Sequence, residues 1–147
     1  MIRWIALWMV ALVAASPAVA DDRDVGYVKV RNGEAWIERD GATLDAAPGT
    51  LLRVDDVCVT GADGALGVTL LDNGRVSLGP DSRFSVTSFA FDPAHAEVGF
   101  VGRLFGGTME FISGLIAKLA PGSATIETPV ANIVVRGTRI LVRAEAP

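Results

Sequence analysis

The chain has 147 residues, 13 lysines and arginines against 17 aspartates and glutamates, a net charge of −4, one cysteine and one histidine. One Cys and one His exclude an internal disulfide and a Cys/His zinc cluster. The acidic balance, with no basic run, argues against an electrostatic grip on nucleic acid or anionic lipid.

Residues 1–20 read as a secretory signal peptide. Arg3 supplies the positive start, Trp4 to Ala15 is an unbroken apolar run, and Ala18-Val19-Ala20 is a small-x-small cleavage site. The rival reading is an uncleaved anchor, but a span needs about 20 apolar residues, and Pro17 interrupts this run. Cleavage removes one arginine and no acid, so the net charge falls from −4 to −5. Residues 21–147 are then expected as one domain with a real core. No later apolar run is long enough to span a membrane, so the product is expected to be soluble outside the cytoplasm.

From there the sequence alternates in short strand-like runs. Val28-Lys29-Val30-Arg31 and Glu34-Ala35-Trp36-Ile37 flank Asn32-Gly33, which predicts a two-residue hairpin with Val28 opposite Ile37 and Arg31 opposite Glu34. Asp40-Gly41 and Pro48-Gly49 mark two further turns. Cys58 lies between Val57 and Val59, where a small buried, inert thiol is expected. Asn73-Gly74 joins Leu66–Leu71 to Arg75–Leu78 as another hairpin. Arg83 to Phe91 is β-rich, and the apolar spacing changes from two to three between Val86 and Phe89, so a bulge or bend is expected there. Asp92-Pro93 starts a loop, and Val98 to Phe105 returns as a strand weakened by Gly99 and Gly102. Phe105, Met109, Ile112, Ile116 and Leu119 then fall at helical spacing, with Thr108 as a cap and Pro121-Gly122 as a stop. That spacing predicts one short helix or a helical turn at about 109–119. Thr125 to Glu127 and Val130 to Val142 are β-like again.

Signatures of chemistry are sparse. His95 in Pro-Ala-His-Ala reads as a loop residue, and a Cys58–His95 dyad has no supporting motif. Asp55-Asp56 could serve a hydrolase, but adjacent strand residues point to opposite faces, which suits one exposed acid and one that pairs an arginine or caps a turn. Asp63-Gly64 and Asp72-Asn73-Gly74 lack the spacing of a calcium loop and read as turns. The glycines of Gly61–Gly67 and Gly102–Thr108 lack the order of a phosphate cradle. No serine sits in a G-x-S-x-G elbow. The residues thus point away from catalysis and name no cofactor or metal.

One segment points somewhere specific. Glu127-Thr-Pro-Val-Ala-Asn-Ile-Val-Val-Arg-Gly-Thr138 opens on Thr128-Pro129 and closes on Arg136-Gly137-Thr138. It resembles the end signature of the FecR-like domain family, the periplasmic module named after a regulator of ferric dicitrate uptake. Leu52 to Gly61, with Asp56 and Thr60, resembles an inner segment of that family, although Asp55 stands where a glycine is usual. The Val25–Ile37 run, Ala65–Leu78 with its Asp72-Asn73-Gly74 turn, Ser113-Gly114 and Pro121 follow the same order. The resemblance implies an all-β fold, a wound β-sandwich or a solenoid-like stack of short antiparallel strands. It also implies a non-catalytic envelope module that binds a protein partner, with a sensory module for a small ligand or glycan as the alternative. The best-known members are membrane-spanning anti-sigma regulators. No cytoplasmic region precedes the apolar segment here, so a stand-alone secreted, periplasmic form is expected.

Within that signature Asp56, Thr128, Pro129, Arg136, Gly137 and Thr138 are the candidate residues, as a structural latch or a partner surface. Gly137 permits a bend, Thr138 can tie down a turn, and Arg136 can hold a carboxylate. As Arg136 follows the apolar run Val130–Val135, a buried partner is expected, Asp56 first and Glu127 second.

Overall fold

The computed structural model describes residues 24–145, so the signal-peptide reading of residues 1–20 lies outside the described residues. Twelve strands form a single sheet that curls into a half-barrel. The strands are β1 (Asp24–Asn32), β2 (Ala35–Arg39), β3 (Ala42–Asp45), β4 (Leu51–Arg53), β5 (Val57–Thr60) and β6 (Ala65–Leu70). They continue as β7 (Arg75–Leu78), β8 (Arg83–Asp92), β9 (Glu97–Ile112), β10 (Ala124–Glu127), β11 (Asn132–Val134) and β12 (Arg139–Ala144). One short helix, α1 (Leu115–Leu119), and a 3-10 turn at Pro93–His95 complete the described residues.

The sheet is built from four long ribbons, each of which passes through two layers. β1 runs into β2, β5 into β6, β7 into β8, and β9 is continuous. In one layer β1 pairs with β6, β6 with β7, and β7 with the second half of β9. In the other layer β2 pairs with β5, β5 with β8, and β8 with the first half of β9. The neighbour order is therefore the same on both sides of a common bend. Shorter strands widen the margins: β4 and β12 on the first layer, β3 and the β10–β11 pair on the second. The β10–β9 pairing is parallel and the others are antiparallel.

The bend shows in the aromatic core. Phe100 and Phe111 lie on the same strand, and eleven extended residues would separate them by about 36 Å. Their rings instead stack face to face, centroids 5.2 Å apart and 2° from parallel, so β9 must double back between them. Phe84, Ile37, Leu66, Leu70, Leu104 and Ile126 fill the same single core.

Hydroxyls and glycines stitch the bend. Thr60 Oγ1 donates to Gly79 O (2.6 Å) and accepts from Ser82 N (2.9 Å). Ser82 Oγ accepts from Thr108 N and donates to Thr108 O, both at 3.0 Å. Thr60 and Ser82 are 3% and 1% exposed, so each hydroxyl is consumed by the backbone it bridges. Gly107, at φ +93°, lets β9 turn against this knot, where a Cβ would overlap Ser82.

Three expectations change here. The β1–β2 hairpin does not form: Asn32-Gly33 is a bend between layers, and the two strands pair with β6 and β5 instead. Gly33 has φ +67°, as a turn requires, but a side chain there would strike the Asp63 carbonyl of the neighbouring ribbon. The helix predicted over 109–119 is confined to Leu115–Leu119, because Met109 and Phe111 continue β9 with their side chains in the core. The strands are not uniformly short, since β9 has 16 residues. The Asp40-Gly41 and Asn73-Gly74 hairpins form, and the register of β8 slips between Val86 and Ser88, where the spacing changes.

Gly107→Ala is expected to cost about 1–3 kcal/mol in urea unfolding, from strained backbone and the Ser82 overlap together. Gly99→Ala, which meets open space, should change little.

Candidate functional site

The signature segment is built as a chain of latches. β9 ends at Ser113-Gly114, where the buried carboxylate of Asp72 (2% exposed) gathers the backbone. Its Oδ1 accepts from Gly74 N (2.9 Å) and its Oδ2 from Ile116 N (3.2 Å), while its carbonyl accepts from Leu115 N (2.8 Å). The β6–β7 turn is thereby fixed to the start of α1. After α1, Ser123 O accepts from Phe100 N (2.9 Å) and leads β10 into the sheet.

Thr128 closes the turn between β10 and β11. Its N–H donates to Ala131 O (2.8 Å) and its Oγ1 accepts from Ala131 N (3.0 Å). Pro129 and Val130 occupy the tip, and Val130 is 94% exposed. Val135 returns to the core, its N–H held by Ala124 O at 2.8 Å. Gly137 O and Thr138 O accept from Ser113 Oγ (3.0 Å) and Ser113 N (2.9 Å), which ties the segment back to the end of β9. Thr128, Gly137 and Thr138 are thus each held by main-chain hydrogen bonds.

Arg136 does not join them. Its side chain is exposed and makes no ion pair among the described residues. Asp56 is buried, at 5% exposure, and is held by a different arginine. Arg39 Nε donates to Asp56 Oδ1 (2.9 Å), and Arg39 Nη2 donates to Asp56 Oδ2 (2.6 Å) and to Leu51 O (3.0 Å). Arg53 N also donates to Oδ2 at 2.9 Å, so one carboxylate binds the β2–β3 hairpin to the β4–β5 turn. The bond to Asp56 raises the Arg39 pKa, so the cation persists. Glu127, the second candidate, stands in register with Arg103 and Asn132. The expected Arg136–Asp56 pair is therefore replaced by Arg39–Asp56, which local sequence could not favour because the partners are brought together by the β2–β5 ladder.

Both Asp56 oxygens are engaged, and Asp55 lies exposed in the left-handed region at φ +70°, so the two carboxylates do not converge. Cys58 is 3% exposed, and burial, with Asp56 nearby as a lesser cause, pushes its thiol up to about 12. His95 pairs with Asp92 Oδ2 through Nδ1 (2.8 Å) at the exposed β8–β9 turn, far along the chain from Cys58. Among the described residues no group of three or more His, Cys, Asp or Glu side chains is placed to hold a metal, and no helix is long and apolar enough to cross a membrane.

A groove of about 510 Å³ opens on the outside of the second layer. Val59 and Gly106 line it with Arg83, Arg103, Phe105 and the signature residue Pro129. The Arg103 guanidinium lies 5.3 Å from the Phe105 ring centre, and Arg83 pairs with Glu38, holding that carboxyl below its ordinary pKa. Sequence reading missed Arg39, Ser82 and the groove cations, and read Asp72 only as a turn residue. Asp72 alone carried a local signal, because an Asp two residues before a glycine in a tight turn can accept the glycine N–H.

A family model described as FecR protein matches residues 56–147. The chain belongs to the FecR family. The matched span begins at the latch aspartate and includes the whole signature, whereas β1 to β4 lie before it and are joined to it by strand pairing. Membership points to a signalling-related domain of the cell envelope, in a family that is regulatory rather than enzymatic. No curated protein and no solved structure matches this FecR chain.

Because Asp56 is more deeply buried than Arg39 (side-chain exposures 4% and 22%), the two truncations should differ. Arg39→Met strands a buried carboxylate and is expected to cost about 3–5 kcal/mol. Asp56→Asn leaves an arginine that water can reach and should cost about 1–3 kcal/mol. Chemical unfolding of both singles and the double should show partial recovery in the double.

Proposed function

We propose that this FecR domain is a non-catalytic envelope module that binds a protein partner, with the 128–138 signature as part of the contact surface. The observation that carries the reading is the Thr128–Ala131 turn. Its backbone is fixed by several hydrogen bonds while it holds an apolar side chain, Val130, almost wholly in solvent. A rigid exposed apolar tip loses little conformational freedom when a partner covers it. Arg136, Val134 at 48% exposure and the adjacent groove supply cationic and apolar contacts around it. In this reading Thr128, Gly137 and Thr138 hold the surface in shape, Asp56 fixes the β2–β3 margin, and Pro129 and Arg136 meet the partner.

The groove supports a second reading, in which a small anionic ligand or acidic glycan lies between Arg83 and Arg103 against Phe105. A photo-crosslinker placed at Val130 in cells separates the two. The protein-partner reading expects one discrete adduct that Arg136→Glu, at a neighbouring exposed position, lowers at least tenfold without altering melting. Absence of any protein adduct at Val130 overturns it.

Processing to a mature domain of residues 21–147 belongs to the same proposal, on the strength of the Ala18-x-Ala20 site. N-terminal sequencing of envelope material should begin at Asp21. An intact Met1 in the membrane fraction would show an anchored form instead.

A further inference from the structure

The sheet has four marginal strands, and they are not equivalent. β4 and β11 have three residues each and β3 has four, lengths that offer little to an incoming strand. β12 has six, from Arg139 to Ala144. Among the described residues it pairs with β9 alone, so its other edge presents unpaired N–H and C=O groups.

The side chains on this edge are also distinctive. Val142 and Ala144 turn into the core, whereas Arg139, Leu141 and Arg143 are exposed, Leu141 at 73%. Arg139 reaches Glu110 at 2.7 Å but remains 63% exposed, and Arg143 has no ion pair among the described residues. Arg75 stands on the same row as Arg139, with Ile112 between them in the ladder. A chain of net charge −4 thus gathers cations on its longest open edge, a patch that composition alone conceals.

A second copy of this chain fits that edge poorly. Antiparallel pairing of two β12 strands about Leu141 would set Arg139 of each copy opposite Arg143 of the other, and like charges directly opposite destabilise a ladder. A foreign strand with acids at two positions four residues apart, and an apolar residue midway, would meet all three exposed side chains at once. We propose that β12 accepts such an acidic, extended segment of a protein partner by strand addition. This rests on the protein-partner reading above and names the partner's contacting segment.

The test uses two labelled ten-residue peptides of Thr and Val. One carries a Glu-Thr-Leu-Thr-Glu centre, and the other has Lys at both Glu positions. Fluorescence anisotropy should show binding of the Glu peptide that weakens with salt, and no binding of the Lys peptide. Amide hydrogen exchange should slow within residues 139–144 when the Glu peptide is present. The R139E/R143E variant should bind the Glu peptide at least tenfold more weakly and gain affinity for the Lys peptide. Should that variant melt abnormally, Arg143→Gln, which breaks no ion pair, replaces it and should weaken the Glu peptide several-fold. Equal binding of both peptides, protection elsewhere than β12, or self-association that protects β12 without peptide overturns the proposal. A partner crosslinked at Val130 and unaffected by R139E/R143E would sustain the protein-partner reading and overturn strand addition.

Discussion

The architecture depends on one shared bend. Four ribbons turn at the same level, and the turn is held by two buried hydroxyls, Thr60 of the β5–β6 ribbon and Ser82, whose bonding capacity is consumed by main-chain groups of the β7–β8 ribbon and of β9. An unsatisfied buried hydroxyl would be costly, and four strands bending without such bridges would expose unpaired backbone at every crossing. With the bend fixed, the inward residues of both layers face one another, and the aromatic stack of Phe100 on Phe111 becomes possible within a single strand. The glycine-rich stretches 61–67 and 102–108 are accordingly a fold line. Their glycines admit backbone where a side chain would collide with the next ribbon.

Two buried carboxylates secure what the bend leaves loose. Asp56 closes the margin formed by β2–β3 and the β4–β5 turn, and Asp72 closes the junction between β6–β7 and α1. Both are satisfied chiefly by local geometry plus one distant element, so each converts a turn into a cross-link. No buried side-chain nitrogen or oxygen among the described residues lacks a hydrogen-bond partner. Of the Asp55-Asp56 pair that looked most like chemistry in the sequence, Asp56 is thus spent on cross-linking backbone and arginine, while the exposed residues of the 128–138 segment and of β12 lie outside both cross-links.

What the sequence revealed, and what it hid, divides by range of interaction. The Asp40-Gly41 and Asn73-Gly74 hairpins and the irregularity after Val86 were legible, because turn chemistry and spacing are local. The all-β class was legible for the same reason. Asn32-Gly33 carried the same local signal and did something else, since pairing with β6 and β5 buries Val28 and Ile37 on ribbons that no hairpin could supply. The helix near 109–119 starts later than the spacing suggested because Phe105, Met109 and Ile112 lie on β9, where Met109 faces the core and Phe105 the outer groove, so their helical spacing marks no common face. The signature was visible as a pattern, but the exposure of Arg136 was not, since an apolar run does not tell whether the next residue leaves the sheet.

The bend has a mechanical side. β12 runs antiparallel to the second half of β9, and its last residue, Ala144, lies beside Gly107 at the fold line. Tension on the chain beyond Ala144, directed across the sheet, would load the ladder one hydrogen-bonded pair at a time, from Ala144 towards Arg139, whereas a pull along the strand would shear all pairs together. The four ribbons, by contrast, are each anchored in two layers, and the hydroxyl knot ties three of them together. β12 is thus the element that can be peeled away while the rest of the sheet keeps its shape, which makes this margin a natural place for a pull to be converted into a change of surface.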